Sequence, residues 1–136
     1  FEGVLNGACA LDRALLREGA ETIAWASDAD YAAAVAALGS TTDRALSRAI
    51  VADVRALAEG TAGVASVAVS RPVTYFKAIK PSMTAKGGGF EDDALAIEAM
   101  FGAAENAVAI GGDPASALDA DFIAERLAAA FEPDAL

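Results

Sequence analysis

The chain has 136 residues, of which 55% are apolar with alanine the main contributor, and this suits one domain able to bury a core. Its net charge of −10 would be repelled by phosphate backbones, so no nucleic-acid partner is expected. It holds no histidine, a lone cysteine (Cys9) and no uninterrupted apolar run of about 18 residues, which argues against His-based catalysis, zinc clusters, an intrachain disulfide and a membrane span.

The predicted elements begin with a helix over residues 6–18. Asn6 is its N-cap, Leu11, Leu15 and Leu16 its apolar stripe, and Gly19 its stop. Thr22 to Ala26, with Trp25, reads as a brief strand or a connector. Ser27 with Asp30 forms a variant capping box, and Tyr31, Val35 and Leu38 fall on one helical face before Gly39. Ser40 with Asp43 repeats the start signal. The following helix runs to Glu59, with Leu46, Ile50, Val54 and Leu57 in line and Arg44, Arg48 and Arg55 pointing elsewhere. Gly60 stops it.

The middle of the chain changes character. Val64–Val69 and Val73–Ile79 are rich in β-branched and aromatic residues and are separated by Ser70, Arg71 and Pro72. This predicts a β-hairpin or two extended arms, because proline lacks the N–H that a helix needs. Pro81 closes the segment, and Gly87, Gly88 and Gly89 form a flexible joint.

A helix follows with Glu91, Asp92 and Asp93 in its first turn, where the helix dipole favours anions. Ile97, Met100, Phe101, Ala104 and Val108 form its buried stripe. Gly102 marks close contact or a break, and Gly111 and Gly112 end the helix. Asp113 and Pro114 start the last helix, lined by Leu118, Phe122, Ile123, Leu127 and Phe131 and closed by Pro133. The expected fold is mainly α: four or five amphipathic helices in one domain spanning 1–136, with a basic extended or hairpin insert over 61–90. An α+β arrangement with a small antiparallel sheet is the alternative.

One charge asymmetry has functional content. Residues 61–90 contain no acid and hold Arg71, Lys77, Lys80 and Lys86, so that segment is +4 and the remainder is −14. Two readings follow: a docking surface for an acidic partner or an anionic membrane face, or pairing of these cations with the protein's own carboxylates.

Sites for chemistry are sparse. Lys86 with Gly87–Gly89 would suit a phosphate, but the acids at 91–93 would repel one, so a hinge is the better reading. Asp28 with Asp30, and Asp119 with Asp121, sit at helix starts and read as caps rather than cation ligands. Nothing near Cys9 in sequence would lower its pKa. Trp25, Tyr75 and Phe76 would suit a flat ligand but read more simply as core. No catalytic residue, metal site or cofactor is assigned.

Ser27-Asp28-Ala29-Asp30-Tyr31-Ala32-Ala33, ending Ala36-Ala37-Leu38-Gly39, resembles a helix of the peridinin–chlorophyll proteins of dinoflagellate plastids. Ala96-Ile97-Glu98-Ala99-Met100 is similar to another segment of that family. The two segments cover a small part of the chain and occur in the opposite order. The family's chlorophyll sites rely on histidines, which have no counterpart here. The resemblance implies a lumenal helical protein attached to a photosynthetic complex. The start at Phe1 rather than Met suggests a trimmed terminus, from a removed targeting peptide, a tag or further sequence, and the resemblance implies a plastid or thylakoid-lumen location.

Three functions are weighed. The leading expectation is a non-enzymatic subunit of a larger assembly, peripheral association with a membrane included. It would dock on other protein subunits through Arg71, Tyr75, Phe76, Lys77, Lys80 and Lys86. The second is a binding protein for an apolar ligand or pigment held between alanine-rich helices. The third is a small hydrolase using carboxylates alone, with Asp92, Asp93, Asp119 and Asp121 as candidates.

Overall fold

The computed structural model describes residues 14, 16–21 and 28–132, and it is helical throughout with short connections. Four longer helices follow one another: α1 (Asp28–Glu59), α2 (Ala65–Ala85), α3 (Phe90–Ala109) and α4 (Ala120–Phe131). A single 3₁₀ turn, Pro114–Ala117, joins the last two. The expectations for Asn6, Cys9, Leu11, Leu15, Trp25, Ser27 and Pro133 lie outside the described residues.

The core rests on the stripes read from sequence. Leu46, Ile50, Val54 and Leu57 of α1 meet Val69, Val73, Phe76, Ile79 and Met83 of α2. Ala94, Ile97, Phe101 and Ala104 of α3 complete one side, and Ile123, Leu127 and Ala130 of α4 the other. Helix α2 packs on both α1 and α3, while α4 lies chiefly along α1. Phe76 and Phe101 meet at the centre, with ring centroids 5.7 Å apart and planes tilted by 43°.

Residues 61–90 are the main correction: they form neither a hairpin nor extended arms, and no strand occurs among the described residues. Alternation explains why. A strand through Val73–Lys80 would place Lys77 on the face of Val73 and Ile79, and Lys80 on the face of Phe76. A helical period instead gathers Val69, Pro72, Val73, Phe76, Ile79 and Met83 on one buried face. It leaves Ser70, Thr74, Lys77 and Pro81 outside. Two interior prolines cost about 3 kcal/mol each. Six buried apolar side chains stabilise by roughly 1.5–3 kcal/mol each, so burial wins. Pro72 itself is buried and adds its ring to the core.

Two expected boundaries are also absent. Gly39 and Ser40 lie inside the continuous α1, where Thr41 Oγ1 donates to the Ala37 carbonyl at 3.0 Å and Thr42 Oγ1 to the Leu38 carbonyl at 2.8 Å. Gly19 does not stop the first helix, because residues 16–21 are helical. A Cβ on Gly19 would stand 3.0 Å from Leu38 Cδ1, so the glycine permits close approach to α1. Leu16, fully buried, forms a second small cluster there with Ala45 and Leu38. Tyr31 and Val35 remain 54% and 42% exposed.

Other signals hold. Gly60 (φ 75°) ends α1: its N–H donates to Leu57 and that of Thr61 to Ala56, the paired bonds of a Schellman motif. Gly111 closes α3 in the same manner. Gly102 neither breaks α3 nor permits a close contact, since a Cβ there would meet nothing within 4 Å. Asp113 and Pro114 start only the 3₁₀ turn, while α4 begins six residues later with Asp119 Oδ1 accepting from the Phe122 N–H at 3.0 Å.

Candidate functional site

The predicted docking residues do not form one patch. Arg71 and Lys80 are nine residues apart on α2, about two and a half turns, so they leave opposite flanks of the helix. Arg71 reaches α1, with Nε donating to Asp53 Oδ2 at 2.8 Å and a second bond from Nη2 to Oδ1. These bonds, and then the charge of Asp53, hold the Arg71 guanidinium above its ordinary range. Lys80 reaches α3 and pairs with Glu98. Lys86, just past α2, places Nζ 5.4 Å from the centre of the Phe131 ring in α4.

Phe76 is corrected from contact residue to core, being 2% exposed. Tyr75 is half-buried against the core. Lys77 is exposed and has no ion pair among the described residues. The outward ridge of α2 comprises Val67, Ser70, Thr74, Lys77, Ala78 and Pro81, all exposed. Carboxylates are absent along it, whereas Glu91, Asp92, Glu98 and Glu105 are exposed on α3.

Two of the four carboxylates weighed for hydrolysis have structural duties. Asp93 faces Arg126 at 3.5 Å and Asp119 caps α4. No cluster of three or more His, Cys, Asp or Glu side chains suited to a metal ion occurs among the described residues. Gly87, Gly88 and Gly89 all have positive φ, and Gly89 is the left-handed residue from which α3 starts. The joint therefore needs glycine for its backbone.

Two clefts share one residue, Arg55. A cleft of about 580 Å³ is lined by Arg55 and Glu59 of α1, Met100 of α3, and residues 116–121, including Asp119 and Asp121. A groove of about 330 Å³ between α1 and α4 is lined by Arg48, Val51, Ala52 and Arg55 on one wall and Ala124, Ala128 and Glu132 on the other. Ser47, 2% exposed, closes its inner side. Arg48 is tied across the groove to Glu132. The legible signal was spacing: Arg44, Arg48 and Arg55 stand at i, i+4 and i+11, one stripe of a helix.

The structure thus defines a mainly α protein whose described residues carry two surface features, an acid-free helical ridge and a groove lined by Arg48 and Arg55. No known protein family, curated protein or solved structure matches the chain. No described helix is long and apolar enough to cross a membrane.

Proposed function

We propose that this chain is a non-enzymatic interaction subunit that docks on an acidic partner protein through the outward ridge of α2. The observation that carries the reading is the ridge itself. In a chain of net charge −10, residues 61–90 hold no acid, and their helix exposes Val67, Ser70, Thr74 and Lys77 side by side. A helix face with no partner is ordinarily well charged. A ridge that carries Lys77 and no acid complements an acidic surface, and its small side chains allow a close approach. The sequence resemblance of residues 27–39 and 96–100 to peridinin–chlorophyll proteins supports a lumenal photosynthetic complex as the setting.

Native mass spectrometry of material isolated without denaturant tests this reading. The expected result is a complex with another chain. Thr74→Glu with Lys77→Glu should release that chain while the circular dichroism stays helical. A protein found alone, or a complex indifferent to both charge changes, would overturn the reading.

A further inference from the structure

We infer that the face formed by α2 and α3 is a two-fold interface between two copies of this chain, with the acid-free ridge of α2 seated on the acidic ridge of α3 of the second copy, and the reverse. This rests on the reading of the α2 ridge as a docking surface and names its partner.

Charge distribution is the first argument. Helix α2 carries Arg71, Lys77 and Lys80 and no acid, whereas α3 carries Glu91, Asp92, Asp93, Glu98 and Glu105 and no cation. The two helices pack side by side, so their outward ridges form one face with a basic half and an acidic half. A two-fold axis running along the helices, between them, lays each α2 on the α3 of the other copy. An axis across the helices would instead set lysine against lysine and glutamate against glutamate, which is unfavourable. The face is therefore self-complementary in the first arrangement and self-repelling in the second.

Spacing and shape are the second argument. Val67, Ser70, Thr74, Lys77 and Pro81 on α2, and Leu95, Glu98, Gly102, Glu105 and Ala109 on α3, advance in alternating steps of three and four. That is the 3.5-residue repeat of helices that pair along their length. Lys80 pairs with Glu98, and Ser66 and Val108 border one small cavity, so α2 and α3 run antiparallel with their levels fixed. An axis along the helices preserves those levels. It brings Thr74 over Gly102 of the second copy, Lys77 beside Glu98 of the second copy, and Val67 toward Ile110 of the second copy. Val67 and Ile110, 69% and 85% exposed, would then be covered. Gly102 also gains a reason. A glycine inside a helix costs stability, and within this chain a Cβ there meets nothing within 4 Å. A second helix crossing at that point needs the missing side chain.

Sedimentation velocity of the pure full chain, up to about 100 µM, tests the inference, since association follows mass action. A dimer should form. Gly102→Leu should abolish it with the helical circular dichroism unchanged, because the position is open in the single chain. Lys77→Glu should weaken it at least about tenfold. Arg55→Glu, which makes the same change of net charge on another face, should leave it intact. A chain that stays monomeric, a dimer that survives Gly102→Leu or Lys77→Glu, or one that Arg55→Glu weakens equally would each overturn the inference. The docking reading fails separately: a monomeric pure chain that still forms a complex with a different protein in native material, released by Thr74→Glu with Lys77→Glu, sinks only the second copy as the partner.

Discussion

The cations of α2 and those of α1 have opposite fates. Arg71 is taken up by Asp53 of α1, Lys80 by Glu98 of α3, and Lys86 lies over Phe131 of α4. Each ties the central segment to a different neighbour. Among the described residues, Arg48 is the α1 cation with a carboxylate partner on another element, Glu132, while Arg55 opens on both clefts. The more conspicuous run of positive charge in the sequence is thus largely internal glue. The inconspicuous arginines, spaced at i, i+4 and i+11, make the open cationic stripe. A helix between two acid-bearing neighbours turns its flanking cations toward them, and only its outward ridge is left for a partner.

Substitutions can break this comparison, beginning with the largest effect. Phe76→Ala should cost about 3–5 kcal/mol in urea unfolding, because it empties the centre of the core against Phe101. A loss of association with stability intact would instead return Phe76 to a surface role. Arg71→Ala should cost about 1–3 kcal/mol, since it strands Asp53, a carboxylate only 9% exposed. The guanidinium pKa is raised in the folded state, so its stabilisation is present below that pKa and lost only as pH rises through it. The deficit of Arg71→Ala relative to wild type should therefore hold from neutral to mildly alkaline pH in thermal unfolding.

Smaller effects sharpen the contrast. Lys86→Ala should cost about 0.5–1 kcal/mol through loss of the contact with Phe131. Lys80→Ala should cost less than about 1 kcal/mol, because Glu98 is 53% exposed and the pair is screened. Arg55→Gln should change stability by under about 0.5 kcal/mol, because Arg55 is exposed and has no ion pair among the described residues. A larger loss in chemical denaturation would place Arg55 with the α2 cations instead.

Much of the architecture was legible in the residues. The α1 stripe Leu46–Ile50–Val54–Leu57 and the α3 anchors Ile97, Phe101 and Ala104 are all buried as their spacing requires. The stops at Gly60 and Gly111 were equally readable, since the left-handed residue ending a helix is most often glycine. In residues 64–79 the β-branched side chains and Pro72 favour strand by local preference, but the helical period they also carry is what the core selects. Gly39 was misread as a stop, yet the chain continues through it with negative φ and with Thr41 and Thr42 bonded back one turn. Of the candidate docking set, Lys77 lies on an exposed face, whereas Phe76 is buried in the core.

The sequence by itself determined the helical class, the apolar stripes and the backbone positions that demand glycine. These depend on local geometry: the 3.6-residue period, the caps and the freedom of glycine at positive φ. Tertiary structure decided which charges were spent. Asp53 and Arg71 are eighteen residues apart, as are Lys80 and Glu98, and Arg48 and Glu132 are eighty-four apart. No periodicity within one helix can announce such pairs. They exist because burying the stripes brings α2 against α1 and α3, and α4 against α1, and the remaining cations are whatever that packing leaves facing a groove or solvent.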